Sequence, residues 1–93
     1  MLLVVATASW SIPALAEEVV VVRQAAVQFS RAHGVPDDRL EDLRLALSEA
    51  VSNAVMHAYQ SREPGTITVT VDVMVDECVE VAVRDDGIGM TRR

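Results

Sequence analysis

The segment from Leu47 to Tyr59 reads L-S-E-A-V-S-N-A-V-M-H-A-Y. Its apolar residues recur at intervals of three and four, a spacing that places them along one side of an α-helix. Glu49, Asn53 and His57 are spaced four apart, so they share another side of the same helix. The segment therefore predicts a helix with one buried side and one side that carries three polar groups.

The polar side of this helix carries residue types suited to magnesium and proton transfer. The side-chain carbonyl of Asn53 is a neutral ligand for Mg²⁺, which prefers oxygen and keeps several of its waters. Glu49, one turn earlier, can remove a proton from an attacking hydroxyl or water. Taken alone, the same residues also fit the solvated side of an amphipathic helix, which is the commoner situation.

A second motif follows the last predicted strand, where residues 85–89 read D-D-G-I-G. An Asp at a strand end, such as Asp85, can accept a hydrogen bond from an exocyclic amine like that of adenine. Gly87 and Gly89 allow positive φ and place no side chain between the backbone and a ligand. Taken alone, the Asp-Gly pair is also a common turn signal.

The remaining pattern predicts three strands and a second helix around these motifs. The first strand covers 2–12 and ends at a proline, and a helix covers 14–32. The helix with the polar triplet runs from about 38 to 59. Val or Ile alternates strictly with Thr, Asp or Met over 66–75, and Val alternates with Cys, Glu, Ala or Arg over 78–84. This pattern predicts an antiparallel hairpin with one buried face. We therefore expect one α+β domain over residues 1–93, a two-layer sandwich of helices on a mostly antiparallel sheet.

Local signals place the helix ends. Gly34, followed by a proline, predicts the end of the first helix, where His33 would bond the terminal carbonyls. Asp38 and Glu41 have the spacing of a capping box, so Asp38 is the predicted N-cap of the second helix. Cys78 opens the last strand and is predicted to be a small apolar residue of the core.

Composition excludes several classes of protein. The 93 residues carry a net charge of −6 and no lysine, which argues against direct nucleic-acid binding through phosphate contacts. One bound nucleotide remains compatible, because a metal ion and backbone N–H groups can hold its phosphates. The single cysteine permits no internal disulfide. The apolar N-terminus lacks the basic start of a signal peptide and is too short to span a membrane, so we expect a cytoplasmic protein.

Together, the two motifs, their order and the hairpin between them resemble the GHKL ATP-binding fold, the histidine-kinase-like ATPase fold. The residues of the two motifs most closely resemble those of the anti-sigma factor serine kinases of bacteria. The helix motif at 47–59 resembles theirs, V-R-D-D-G-I-G-M at 83–90 resembles their first glycine box, and S-W-S-I-P-A at 9–14 resembles their first strand and turn. The resemblance covers essentially the whole chain.

The resemblance implies ATP and Mg²⁺ as cofactors and a role for each residue of the two motifs. Asn53 would coordinate the Mg²⁺ that bridges the phosphates, and Glu49 would be the base that deprotonates the acceptor serine. Asp85 would bind the adenine amine, while Gly87 and Gly89 would make room for the base. His57 would pack beside this site or support the residues that bind the metal, without being a metal ligand itself. Asp86 occupies the variable position of the box and has no assigned role.

The resemblance also implies a regulatory function. Such proteins sequester a sigma factor and phosphorylate a serine of an anti-anti-sigma antagonist, and they often form homodimers. The family has a lid, a second glycine-rich segment and closing strands after the first glycine box. This chain ends before them, so we expect a partial domain with an unprotected sheet edge. Two alternatives stay open: a binding module without catalysis, and the catalytic fragment of a histidine kinase.

Overall fold

The computed structural model describes residues 3–60, 65–76, 78–85 and 89–92. In it, two helices cover one face of an antiparallel sheet. The elements, in chain order, are β1 (Val4–Pro13), α1 (Glu18–Ala32), α2 (Asp37–Gln60), β2 (Thr66–Met74), β3 (Val79–Asp85) and β4 (Gly89–Arg92). The strands lie in the order β1-β2-β3-β4, and each pairs antiparallel with its neighbours. The predicted α+β sandwich is confirmed.

The alternation of residue types in β2 builds the two faces of the sheet. Ile67, Val69, Val71 and Val73 point toward the helices and are at most 1% exposed. Val69 pairs with Val83 of β3 and with Trp10 of β1, so the buried rows continue across three strands. The threonines between them lie on the opposite, more polar face. Period-two patterning thus predicted the inner face of the hairpin correctly.

The two helices cover the inner face side by side. α1 packs on β1 and β2, and α2 packs on β2 and β3. Trp10 of β1 meets Phe29 of α1 edge-to-face with ring centroids 5.9 Å apart, an arrangement that suits the aromatic quadrupoles. The buried helical side chains are mostly aliphatic: Val22, Ala26, Val27, Leu40, Leu43, Leu47, Ala50 and Val51.

The first helix begins later than its pattern predicts. Residues 14–17 form turns instead, in which Leu15 N–H donates to Pro13 O at 2.8 Å and Glu18 N–H donates to Leu15 O at 3.0 Å. Leu15, which falls within the predicted helix, is 44% exposed. The β-branched run of residues 19–22 is nevertheless helical, because Val22 is buried in the core and Val19 packs against it, which outweighs the weak helix propensity of valine.

The second helix begins one residue before its predicted cap. Asp38 lies in the first turn, where its Oδ1 accepts a hydrogen bond from Arg39 N–H at 2.9 Å. Pro36 O accepts the first helical bond, from Leu40 N–H at 3.0 Å. The carboxylates of Asp37 and Asp38 therefore stabilise the helix through its N-terminal dipole, and the predicted N-cap role of Asp38 is wrong.

Strand β4 is the element that sequence patterning missed. It pairs with β3 through Asp85 and Gly89, Arg84 and Met90, Val83 and Thr91, and Ala82 and Arg92. The predicted open edge at β3 is thus occupied, and the open edges of the described sheet are β1 and β4.

Gly34 ends α1 in the left-handed region, with φ at 90°. His33 Nδ1 lies 2.9 Å from Phe29 O, so the predicted contact of this histidine with a terminal carbonyl is confirmed. A Cβ at Gly34 would have no atom within 4 Å, so only the backbone conformation opposes a side chain there. We expect Gly34→Ala to lower the free energy of unfolding by about 1 kcal/mol. Urea denaturation measures it, and Gly34→Asn, which tolerates this region better, should lose less.

Candidate functional site

Asp85 is a buried carboxylate, and one of its oxygens has no hydrogen-bond partner among the described residues. It is the last residue of β3, pairs with Ile67 on one side and Gly89 on the other, and is 7% exposed. Its Oδ2 is buried and has no hydrogen-bond partner among the described residues. A buried acceptor without a donor costs about 1–3 kcal/mol, and more when it is charged. The oxygen is therefore suited to accept a hydrogen bond from a ligand donor.

The polar triplet lies on the solvent side of α2, as its spacing predicts. Glu49, Asn53 and His57 are all exposed, while Ala50 and Ala54 beside them are buried against the sheet. A step of four residues advances the helix by about 6 Å, so the three groups form a row along its surface. His57 is exposed, so it does not pack in the core, and its implied support of the site stays a prediction.

The first half of α2 and the start of β3 are joined by direct contact. Arg39 Nη1 lies 3.6 Å from Cys78 Sγ. A shallow cavity of about 240 Å³ lies next to this contact, between Leu43 and Ala46 of the helix and Val79 and Val81 of the strand. At the other end, α2 stops at Gln60, shortly before β2 begins at Thr66, and Ile67 of β2 pairs with Asp85 of β3. We infer from this connectivity that α2 and β3 run in the same direction.

This common direction brings the two motifs to the same level. Asp85 lies seven residues beyond Cys78, or about 23 Å along a strand that rises 3.3 Å per residue. The same length takes about 15 residues of helix at 1.5 Å each, which leads from Arg39 to the turn of α2 that contains Asn53. By this estimate Asp85 and Asn53 lie at a similar level along the sheet, with Glu49 one turn of the helix away.

The glycine box is described only in part. Gly87 and Asp86 lie outside the described residues, so the predicted role of Gly87 is untested. Gly89 begins β4 and pairs with Asp85, instead of lying in a loop as predicted. The backbone of Gly89 is thus adjacent to the buried carboxylate.

A polar bridge between the helices was not predicted. Arg23 of α1 donates from Nη1 to Ser48 Oγ at 2.9 Å, and Ser48 Oγ donates to Arg44 O at 2.9 Å. Ser48 precedes Glu49, so the bridge fixes α1 to the turn of α2 that carries the site. The available signal was a single Arg inside the apolar run of α1, whose partner depends on how the helices pack.

Cys78 is a member of a polar cluster, and its predicted place in the apolar core is wrong. Its thiol lies 3.3 Å from Asp76 Oδ2, and its backbone N–H donates to Asp76 Oδ1 at 3.2 Å. The thiol donating to Asp76 lowers the pKa of that carboxyl. The contact with Cys78 raises the pKa of Arg39. This cluster holds the start of α2 against β3.

The described residues contain no group of three or more His, Cys, Asp or Glu side chains placed to hold a metal ion. A magnesium ion that binds through one amide oxygen, water and phosphate oxygens needs no such group. Among the described helices, none is long and apolar enough to cross a membrane.

Comparison with known proteins identifies the family to which these motifs belong. The serine-protein kinase RsbW of Bacillus subtilis (strain 168) is 37% identical over 76 residues, which cover 82% of this chain and 47% of that protein. RsbW of Bacillus velezensis is 41% identical over 76 residues, with the same coverage. The anti-sigma F factor of Priestia megaterium is 40% identical over 53 residues, 57% of this chain and 36% of that protein.

The chain thus spans less than half the length of these curated relatives. The sequence model of the histidine kinase-like ATPase domain matches residues 12–93, which include both motifs, the hairpin and the two helices. An ATPase domain requires a nucleotide site, and the two motifs are the candidates for it in this chain. The chain belongs to the histidine kinase-like ATPase domain family.

Proposed function

We propose that this chain forms the adenine- and magnesium-binding part of an ATP-dependent serine protein kinase that acts as an anti-sigma factor. The observation that carries the proposal is the buried Oδ2 of Asp85, which has no partner among the described residues. The exocyclic amine of adenine is a donor that this oxygen can accept, while the apolar strands around it exclude competing water.

Asn53 and Glu49 supply the other two functions of the site. The amide oxygen of Asn53 would hold Mg²⁺, which neutralises phosphate charge when bound. That neutralisation matters here because the chain has a net charge of −6 and the nearby Glu49 and Asp85 are acidic. Glu49 would accept the proton of an attacking serine hydroxyl. Gly87 and Gly89 would leave room for the adenine ring.

The regulatory part of the proposal rests on the relatives, which are named as a serine-protein kinase and an anti-sigma factor. The partners would be a sigma factor and an anti-anti-sigma protein whose serine accepts the phosphoryl group. We propose that the protein acts in the cytoplasm, where sigma factors bind RNA polymerase, and that it contacts no nucleic acid itself.

A second candidate is a module that binds nucleotide without transferring its phosphoryl group. It is favoured by the exposure of Glu49, since a general base gains catalytic power where water is excluded. Both candidates need Asp85, whereas only the kinase needs Glu49. Variants of these two residues therefore distinguish them.

Titration of the purified chain with nucleotides tests the site. We expect ADP and Mg-ATP to bind, and GTP to bind at least about tenfold more weakly, because guanine presents the acceptor O6 where adenine presents a donor amine. Isothermal titration calorimetry measures the three dissociation constants. No binding at millimolar ATP, or equal affinity for GTP, would contradict the adenine site.

Asn53→Ala should weaken Mg-ATP binding by about tenfold, the loss of one ligand to the metal, and leave ATP binding in EDTA unchanged. Ser52→Ala, a neighbouring exposed position on the same helix, is the matched control and should behave as the wild type. If Asn53→Ala weakened ATP binding equally with and without magnesium, Asn53 would contact the nucleotide or stabilise the fold instead of binding the metal.

A further inference from the structure

Arg23 is the only charged residue in the apolar run of α1, which reads V-V-V-V-R-Q-A-A-V over residues 19–27. Its neighbours Val22 and Val27 are at most 3% exposed. The Nε of Arg23 is itself buried and has no hydrogen-bond partner among the described residues. Burial of a cation is costly unless hydrogen bonds replace the water that it loses. The bond that its Nη1 does make is therefore important for holding this side chain in place.

The bridge from Arg23 to Ser48 has a fixed direction. Ser48 Oγ donates its single proton to Arg44 O at 2.9 Å, so toward Arg23 Nη1, also at 2.9 Å, it acts only as an acceptor. A hydrogen bond with a charged donor is stronger than one between neutral groups. The buried side chains of α1 and α2 are mostly aliphatic, and hydrophobic contact has no preferred direction. The bridge therefore adds a directional restraint on the rotation of α2 relative to α1.

This restraint acts on the turn of α2 that carries the candidate base. Ser48 is half-buried, and Glu49 follows it on the exposed side, about 100° further around the helix. An α-helix with its side chains is about 10–12 Å wide, so the end of a side chain lies about 5–6 Å from the axis. A rotation of about 10° would therefore move the Glu49 carboxylate by about 1 Å. A displacement of this size can lower the rate of a reaction about 100-fold.

We propose that Arg23 and Ser48 are positioning residues, which hold the turn of α2 with Glu49 and Asn53 in the orientation that phosphoryl transfer requires. Ser48 and Asn53 are five residues apart, or about 140° around the helix, so the bridge and the metal ligand lie on different sides of α2. The bridge thus acts on the site through the helix and not through contact with the nucleotide. Its effect on catalysis rests on the proposed kinase function, whereas its restraint on the turn does not.

The kinetics of phosphoryl transfer test the effect on catalysis. Ser48→Ala removes the acceptor of the bridge and should lower kcat about tenfold, while KM for Mg-ATP and for the acceptor protein stays within about twofold of the wild type. Ser48→Thr keeps the hydroxyl and should restore most of the rate. Ser52→Ala, the same substitution at an exposed position of the same helix, is the matched control and should transfer at the wild-type rate. A normal kcat for Ser48→Ala would show that Glu49 needs no such positioning.

A double-mutant cycle tests whether the two residues act together. Arg23→Ala should lower kcat by a factor similar to that of Ser48→Ala, and the double variant should lose little more, because both changes remove the same bond. Arg31→Ala makes the same substitution at an exposed position of α1 and should leave the rate unchanged. Circular dichroism verifies that each variant is folded at the assay temperature. If Arg23→Ala raised KM for the acceptor protein and left kcat unchanged, Arg23 would contact the acceptor instead, and the proposal would be overturned.

Hydrogen exchange of the unliganded chain, followed by mass spectrometry, tests the restraint without any transfer reaction. The amides of residues 49–53 should exchange about tenfold faster in Ser48→Ala than in Ser52→Ala, because the turn opens more often once the bridge is lost. Equal exchange in the two variants would overturn the proposal, whether or not the chain is a kinase. A wild type that binds ADP but transfers nothing would reject the kinase function and the effect on catalysis. Faster exchange would still show that the bridge holds the turn.

Discussion

Replacement of Glu49 with Gln is expected to slow phosphoryl transfer to a serine about 10²- to 10⁴-fold, the usual contribution of a general base. The amide has nearly the same shape as the carboxylate but cannot accept the serine proton. Because Glu49 is assigned to the proton and Asn53 to the metal, the affinity for Mg-ATP should change by no more than about twofold. The transfer rate is measured with labelled phosphate and an anti-anti-sigma protein as acceptor. The affinity for Mg-ATP is measured by calorimetry.

Glu41→Gln is the matched control for this variant, because Glu41 is an exposed glutamate in the same helix. Its loss removes only a weak contact of 3.6 Å with Arg44. Transfer should continue at the wild-type rate. If Glu49→Gln also transfers normally, Glu49 is not the base. If the wild-type chain binds ATP but transfers nothing, the kinase proposal is rejected in favour of the nucleotide-binding module.

Replacement of Asp85 with Asn should have opposite effects on folding and on binding. The unliganded protein should gain about 1 kcal/mol of stability, because a buried carboxylate oxygen without a partner among the described residues becomes a neutral amide. The affinity for ADP should fall about 10- to 100-fold, because the charged acceptor for the adenine amine is lost. Urea denaturation without ligand and calorimetric titration with ADP measure the two effects.

Glu80→Gln provides the control, since Glu80 lies in the same strand on the exposed face and the charge change is identical. Neither stability nor affinity should change appreciably there. A thermal melt with ligand gives a further check, because a nucleotide that binds the folded state stabilises it more as its concentration rises above the dissociation constant. The wild type should therefore melt later with ADP, and Asp85→Asn should show a smaller shift at the same ADP concentration. A variant that is less stable yet binds normally would show that Asp85 has a structural role.

The parts of the fold that depend on a repeating burial pattern were predictable. β2 alternates Val or Ile mostly with Thr, and α2 repeats apolar residues at helical spacing. In both elements the local sequence therefore indicates which side chains are buried. Strand β4 reads G-M-T-R, which has no alternation, and it forms only because β3 offers a partner edge. The start of α1 was predicted too early because the backbone groups after Pro13 form hydrogen bonds in turns. The spacing of apolar residues contains no information about such turns.

The residues of the candidate site could be predicted from the sequence, but their burial and their contacts could not. A spacing of four places Glu49 and Asn53 on one side of a helix whatever surrounds it. The unpartnered oxygen of Asp85 depends on how deeply the end of β3 is buried. The bridge from Arg23 to Ser48 likewise depends on how closely α1 and α2 approach. Such features arise between distant segments, and single-sequence patterns contain little information about them.

The pairing of β1 with β2 has a consequence for the order of folding. β2 and β3 are consecutive strands joined by a short turn, so their pairing closes a small loop. Pro13 pairs with Thr66, by contrast, across an intervening segment that contains both helices. The entropy lost on closing a loop grows with its length, and distant pairings slow folding. We therefore expect β1 to join the sheet last, after the hairpin that carries Asp85 has already formed.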